Sequence, residues 1–309
     1  MGSIIRRLSL LPALLLLLLP ALPAQAPPPS AAAQVTLVPR YTAGSRFYYA
    51  VTIHSEVNTT TNQTQHSSAT LDTQAEIEMH ILAASQPGTF KAEMRFTRYH
   101  TTVASADAAL QTQLEQKSSH DDASAVAMTP ARFSVSAGKF TLESRQPGSD
   151  YDQAVDMLSE LVRTEDLPSG PVGVGAQWTR ARNRDIPGMN ASLPITLHCS
   201  LTALGNDQGQ PVATIEVHSD GAADLPPGSL PGAQEMARQG AVPMGKISSN
   251  TVSSSQFRVA DAVLLTSSSE THSQVSIQLI SPSPTPQSTE SLIHSTGTVK
   301  LERVGAPRS

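Results

Sequence analysis

The sequence predicts a mainly β protein, a curved antiparallel sheet or open barrel built of hairpins, with one or two covering helices. Three observations predict this fold class. Apolar and polar residues alternate through much of the chain, as in strands with one face on a core and one in water. The 38 serines and 28 threonines make up about a fifth of the 309 residues. Turn signals separate the alternating runs.

The order of basic, apolar and small residues in 1–33 predicts an export signal followed by a Pro/Ala-rich spacer. Arg6 and Arg7 precede an apolar run, Leu8 to Leu22, and small residues follow at Ala24 and Ala26. The run is shorter than the roughly 20 residues that a membrane-spanning helix needs, which favours a cleaved signal peptide over a permanent anchor. Cleavage follows either Ala26 or Ala33. We therefore expect an exported protein, periplasmic or extracellular, with a single β-rich domain over 34–309.

The first hairpin is predicted over 70–82 and 89–97. In 71–81 the odd-numbered residues form a largely apolar face and the even-numbered ones a polar face, and 90–97 repeat the alternation. Gln86-Pro87-Gly88 supplies the turn. Acidic Glu76 or Glu78 is expected to lie across from Lys91 or Arg95 in an antiparallel pair.

Further strands are predicted on the same grounds. A tight hairpin over 132–142 turns at Ala137-Gly138, and Asn206 to Gly209 forms another turn. The remaining predicted strands are 46–57, 175–182, 192–204, 211–219, 247–259, 262–270, 272–280 and 292–303.

Two segments have helical spacing and two are predicted loops. Residues 150–165 place their apolar side chains on one helical face, and 105–119 form a weaker helix. Residues 221–245 contain many Gly and Pro and predict a long surface loop, and 281–288 a shorter one.

The mature chain is either one unit or two similar units, about 40–145 and 172–304, joined by helix 150–165. Gly44 and Gly175 are each followed three residues later by an aromatic residue and then by a strand pair. A meander of hairpins imitates such a repeat even without duplication, so both interpretations stay open.

One string supports a resemblance. Leu167-Pro-Ser-Gly-Pro-Val-Gly-Val-Gly-Ala-Gln-Trp178 resembles the L-P-x-x-P-V-x-V-G-x-x-W element of a group of uncharacterised exported bacterial β-rich proteins. The resemblance implies an architecture similar to the curved sheets of lipoprotein carriers, where a sheet wraps around helices and leaves an apolar hollow. It implies no catalytic residues, and fold analogy alone assigns no function.

Charge and motifs argue against several kinds of chemistry. The net charge of −5 provides no basic excess for nucleic acid. Cys199 is the sole cysteine, which excludes an intrachain disulfide, and its apolar-polar surroundings predict a small buried side chain. The nine histidines lack metal-ligand spacing, and His120-Asp121-Asp122 is expected in a solvated loop. We therefore expect that the protein is not an enzyme and that it binds neither a metal nor a cofactor.

Two functions remain open, and a hydrolase is kept only as a minor third. The first is a non-enzymatic envelope protein that binds an apolar ligand, a lipid or acyl chain, or a protein partner in its curved sheet. The second is a structural module that pairs with another envelope protein through edge strands. Trp178 either packs against helix 150–165 or stacks on a ligand. Residues that either line a ligand site or form plain core are Ile77, Met79, Ile81, Phe90, Met94, Phe96 and Trp178.

Overall fold

The computed structural model describes residues 33–136, 139–144, 166–186, 191–230, 233–238, 242–280 and 288–306, together with 155, 158, 159 and 161. The predicted signal peptide and spacer over 1–33, apart from residue 33, lie outside these residues, as do the turn at 137–138 and most of 281–288. Of the predicted helix 150–165, the four described residues are helical.

Long strands form most of the described chain, as the fold-class prediction requires. The first half contains β1 (Gln34–Val35), β2 (Arg46–Thr61), β3 (Gln65–Gln86), β4 (Thr89–Ser105), α1 (Ala108–Ala127), β5 (Ala131–Ser136) and β6 (Lys139–Ser144). The second half contains β7 (Val172–Gly173), β8 (Gln177–Asp185), β9 (Ser192–Asp207), β10 (Gln210–Leu225), a 3-10 turn (Pro227–Ser229), α2 (Ala233–Arg238), β11 (Val242–Arg258), β12 (Leu264–Ile280) and β13 (Ser288–Val304).

Eleven of these strands form one curved antiparallel sheet, which is not closed. The strand order is β6-β5-β4-β3-β2-β13-β12-β11-β10-β9-β8, and β1 pairs with β7 in a separate two-stranded sheet. Every neighbouring pair is consecutive along the chain except β13 and β2. The predicted mainly β, curved, open sheet is therefore confirmed.

The register of the first hairpin follows its charges. Glu78 lies opposite Arg95, one of the predicted pairings. The Glu78 carboxylate is buried, and it accepts hydrogen bonds from Arg95 Nη2 at 2.7 Å and from Arg46. Burial alone raises the pKa of Glu78, but the hydrogen bonds and charges of the two guanidinium groups outweigh burial and hold its pKa below the ordinary value.

Several predicted boundaries are wrong. Residues 221–245 are not a long loop, since β10 continues to Leu225, β11 begins at Val242, and a 3-10 turn and α2 lie between them. The predicted strands 262–270 and 272–280 are the single strand β12. The weaker helix runs over Ala108–Ala127 instead of 105–119, because Asp107 caps it by accepting from the backbone N–H groups of Ala109 and Leu110.

One face of the sheet carries the core, and we call it the inner face. The largest cluster, the β2–β5 cluster, packs side chains of β2 to β5 around the aromatic rings of Tyr49, Phe96 and Phe133, which are at most 2% exposed. Val155, Leu158 and Leu161 of the predicted helix pack against it. The helical pattern there therefore identified a covering apolar stripe.

Two smaller clusters lie on the inner face at the other end of the sheet. The β9 cluster contains Leu193, Ile195, Leu197, Cys199, Leu225, Leu230 and Ile247. We call residues 34–41 the strap. The strap cluster contains one of its residues, Leu37, together with Leu167, Leu201, Ala213, Ile215 and Ala262.

Small hydroxyl side chains occupy the inner face between these clusters. We call them the hydroxyl ladder; they are Ser249, Thr251, Ser253 and Ser255 of β11, and Ser267, Ser269, Thr271 and Ser273 of β12. Directly opposite hydroxyls hydrogen-bond across the strands, Thr251 to Thr271 at 2.9 Å and Ser255 to Ser267 at 2.8 Å. All eight side chains are half-buried.

Among the described residues, no helix is long and apolar enough to cross a membrane.

Candidate functional site

Strand β8 places a row of arginines beside a row of apolar side chains. In Trp178-Thr-Arg-Ala-Arg-Asn-Arg184, alternate residues share one face of the strand. Arg180 lies opposite Leu197 and Arg182 opposite Ile195 in the register with β9. Since Leu197 and Ile195 belong to the β9 cluster, the arginines project from the inner face.

A pocket of about 660 Å³ opens beside this row. Its walls come from the strap, the β3–β4 turn, the start of β6, residues 166–169, β8 and β9. Because β6 and β8 are the two edge strands of the sheet, the pocket lies where opposite ends of the sheet approach each other. We call it the seam pocket.

The strap is held in place by backbone hydrogen bonds. Gly88 N–H in the β3–β4 turn donates to the Pro39 carbonyl at 2.8 Å, and Arg40 N–H donates to the Asp261 carbonyl at 3.0 Å. Gly88 has a φ of +76°, a left-handed conformation that favours glycine. The wall of the pocket is therefore tied to both halves of the sheet.

The lining combines apolar surface with positive charge. Leu37, Leu167 and Leu197 are buried in the protein and contribute to the wall. The described charged groups of the lining are Lys139, Arg180, Arg182 and Asp166, three cations and one carboxylate. Such a lining suits a ligand with an apolar part and a negatively charged part.

Hydrogen bonds and an ion pair orient the two arginines along the wall. Arg182 Nη1 lies 3.8 Å from Asp166 Oδ2, and its side chain is 16% exposed. Arg180 donates from Nη1 to the Thr179 carbonyl at 3.2 Å and from Nη2 to the Leu167 carbonyl at 3.5 Å. The guanidinium groups are thus anchored to the segment that forms the pocket wall.

Trp178 borders the same region. Its indole Nε1–H donates to the Asp166 carbonyl at 2.8 Å, and the ring packs against the β9 and strap clusters. The described residues of helix 150–165 belong to the β2–β5 cluster instead. Trp178 is half-buried against these two clusters, and both its packing against helix 150–165 and its contact with a ligand stay predictions.

The structure does not bring the seven predicted lining residues together. Six of them lie in the β2–β5 cluster and are at most 3% exposed: Ile77, Met79, Ile81, Phe90, Met94 and Phe96. Their contact with a ligand stays a prediction. Sequence reasoning missed Arg180 and Arg182, although three arginines alternating on one strand were the available signal.

Two other sequence candidates have structural roles. Cys199 is 2% exposed, and burial raises the pKa of its thiol to about 11, as expected for a small core side chain. His120 to Asp122 lie on α1, so the predicted solvated loop is wrong. Asp122 Oδ2 contacts His100 Nδ1 at 3.0 Å and accepts from Thr101 N–H, and nowhere in the described ranges do three His, Cys, Asp or Glu side chains gather as a metal site would require.

A second depression of about 430 Å³ crosses the middle of β10 to β13. Most of its lining residues carry polar side chains, among them Asp220, Asn250, His272 and His294, and neither Lys nor Arg is among them. This depression lacks the joined apolar and cationic walls of the seam pocket, so we take the seam pocket as the candidate site.

Comparisons with known proteins leave the function open. No protein-family model and no curated protein matches the chain. A lipovitellin structure, solved for its lipid–protein interactions, aligns with 87% of this chain at 12% identity and a TM-score of 0.43, and the chain spans only 26% of that protein.

Two outer-membrane proteins also align. An outer membrane channel from Pseudomonas putida F1 shares 8% identity over 91% of this chain and all of its own, with a TM-score of 0.23. Salmonella typhi OmpF, in complex with daunomycin, shares 9% identity over 86% of this chain and all of its own, with a TM-score of 0.24. All three TM-scores are below 0.5, so these likenesses assign neither a fold nor a function to this chain. The fold is defined by the strand pairing described above.

Proposed function

We propose that this protein is an exported, non-enzymatic protein of the cell envelope that binds a lipid or acyl chain at the inner face of its curved sheet. The seam pocket carries the proposal. Its volume of about 660 Å³ lies within the range of roughly 300–1,000 Å³ usual for small-ligand sites. Its buried leucines offer the apolar surface that an acyl chain needs.

The other parts of the proposal come from the sequence. The basic, apolar and small-residue order of 1–33 supports export. The Leu167-to-Trp178 string supports membership of the exported β-rich group, and in the structure it runs from the pocket wall into β8. Three cations, one carboxylate and apolar walls are a chemistry that favours holding a ligand over transforming it.

Native mass spectrometry of protein purified without detergent tests the proposal. We expect a bound species that organic solvent extracts as lipid. Ser169→Phe places a ring at an exposed position of the pocket lining and is expected to reduce the bound fraction. Ser268→Phe, an exposed position of β12, is the matched control and retains the ligand. A protein that carries no lipid and takes up none from added fatty acid contradicts the proposal.

The alternative scaffold function requires free edge strands, and β6 and β8 are the edges. Inward-pointing charges such as the β8 arginines are a known device against edge-to-edge pairing, which favours the binding proposal. Size-exclusion chromatography with crosslinking separates the two, because a scaffold assembles into oligomers whereas a carrier runs as a small discrete species.

A further inference from the structure

We infer that the seam pocket recognises an anionic lipid, with Arg180 and Arg182 binding its negatively charged headgroup and the adjacent leucines holding its chain. This inference rests on the proposed function and adds the class of headgroup.

The spacing of the two arginines suits a headgroup with several oxygens. Alternate residues of a strand are about 6.6–6.8 Å apart along it, so both guanidinium groups project toward the same space. A guanidinium presents a planar fork of donors that matches phosphate and carboxylate oxygens, and such charge-assisted hydrogen bonds are about twice as strong as neutral ones.

The apolar row places the chain beside the headgroup. Arg180 is paired with Leu197 in the β8–β9 register, and directly opposite residues have Cβ atoms about 4.5–5.5 Å apart. Leu37 and Leu167 line the same pocket from the strap and from 166–169. When the charged end of a ligand binds the two arginines, the carbon atoms next to that end therefore contact leucine side chains.

The charge of the pocket favours an anion over a zwitterion. Among the described lining residues, Lys139 from β6 adds a third cation from the opposite edge of the sheet, and Asp166 supplies the one carboxylate. The whole chain carries a net charge of −5, so this positive site is local and is not a consequence of a basic protein. Local complementarity of this kind selects among headgroups.

Arg184 provides a matched control within the same strand. It lies on the same face as Arg180 and Arg182, opposite Leu193, but it is exposed and is not part of the pocket lining. If the arginines of β8 serve only to prevent edge pairing, all three are equivalent. Headgroup binding makes Arg180 and Arg182 different from Arg184.

The experiment is calorimetric titration of the purified protein with three probes. Lysophosphatidylglycerol carries a chain and a net negative charge, lysophosphatidylcholine carries the same chain and no net charge, and inorganic phosphate carries charge without a chain. Both lipids are used below their micelle-forming concentrations. The variants are Arg180→Gln/Arg182→Gln, Arg180→Lys/Arg182→Lys and Arg184→Gln, each checked by circular dichroism.

We expect the wild-type protein to bind lysophosphatidylglycerol at least tenfold more tightly than lysophosphatidylcholine and to bind inorganic phosphate far more weakly than either. The preference disappears in the double glutamine variant, is partly restored by lysine, and persists in Arg184→Gln. If the glutamine variant fails to fold, the lysine variant and Arg184→Gln test the inference. The preference for the anionic lipid should be weaker in the lysine variant, which loses the bidentate geometry, and unchanged in Arg184→Gln.

The contrary results are distinct. Equal binding of the two lipids by the wild-type protein overturns the headgroup inference and leaves the proposed function standing. Binding of neither lipid overturns the proposed function itself. Phosphate binding as tight as that of the anionic lipid shows a site for small anions, and an equal loss in Arg184→Gln shows a general effect of charge; either result overturns the inference.

Discussion

The inner face differs between strands β2 to β5 and strands β11 to β12. In the first region, aromatic and large aliphatic side chains are almost fully buried, and helical residues pack on them. In the second region, the hydroxyl ladder presents side chains that are small, polar and half-buried. One continuous sheet is therefore thickly covered over β2 to β5 and thin at β11 and β12.

The difference shows that two kinds of interaction hold one sheet together. Burial of large apolar side chains contributes about 25 cal/mol per Å² and dominates where a second layer covers the sheet. Where side chains are small, backbone pairing and cross-strand hydroxyl pairs hold neighbouring strands, each pair contributing about 0.2–1 kcal/mol. Stability should thus be concentrated in β2 to β5.

The largest effect is expected from truncation in the covered region. Phe133→Ala removes a ring that is completely buried in the β2–β5 cluster, and we expect a loss of about 3–5 kcal/mol in the free energy of unfolding. Urea unfolding followed by circular dichroism measures it. Val126→Ala, at an exposed position of α1, is the control and should change stability little. A Phe133→Ala loss no larger than the control's contradicts the proposed concentration of stability.

Glu78→Gln tests the buried carboxylate on the same strands. Charge-assisted hydrogen bonds from Arg46 and Arg95 are lost or weakened, and we expect a cost of about 2 kcal/mol at pH 7. Because the pKa of Glu78 is lower in the folded protein, its stabilisation is present above the ordinary carboxylate pKa of about 4.3 and disappears as the pH falls through the folded-state value.

The measurement is the difference in unfolding free energy between wild type and Glu78→Gln at a series of pH values. This difference should be constant near neutrality and shrink in acid. Glu302→Gln, an exposed position of β13, controls for loss of charge alone. A difference that grows in acid contradicts the lowered pKa.

Trp178→Phe tests the link between β8 and the pocket wall. The variant keeps a ring but loses the hydrogen bond from the indole N–H to the Asp166 carbonyl, and we expect a loss of about 1 kcal/mol. Thermal unfolding measures the loss, and Tyr48→Phe, on the half-buried part of β2, is the control for removal of a single polar group from an aromatic ring. An unchanged midpoint means that the hydrogen bond does not stabilise the wall.

The smallest effect is expected in the hydroxyl ladder. In a double-mutant cycle of Thr251→Val and Thr271→Val, we expect a coupling of about 0.5 kcal/mol, because the two hydroxyls hydrogen-bond directly across the strands. Combining Thr251→Val with Thr101→Val, on β4, should give no coupling. A coupling above about 2 kcal/mol would contradict this expectation, because the hydroxyl ladder would then contribute strongly to the free energy of unfolding.

The sequence predicts strands β2 to β5 better than strands β11 and β12, because apolar and polar residues alternate clearly only in the first region. Around Ile77 and Met94, large apolar residues alternate with charged ones, so strand, face and the Glu78–Arg95 pairing can all be predicted. Around 248–256, serine occurs on both faces and the alternation disappears. The strand prediction there began at 247, whereas β11 begins at Val242.

The candidate site could be predicted only in part. Trp178 was singled out by its size, but the seam pocket joins Leu37, Gly88, Lys139 and Arg180, which are far apart in the sequence. The pairing order places β6 and β8 at the two edges of the sheet, and only the curvature of the whole sheet brings those edges together. No local pattern contains that order or that curvature, so the cationic wall of Arg180, Arg182 and Lys139 is not predicted from the sequence, although three arginines alternate along β8.

The pairing of β2 with β13 has a consequence for how the chain folds. The two strands are separated by more than 200 residues, yet they join the two runs of consecutive hairpins in the middle of the sheet. Each run can form from local contacts, whereas the union requires the last strand, and contacts so distant in sequence form slowly. The sheet is therefore complete only once β13 has paired with β2, whatever the order in which the hairpins of the two runs form.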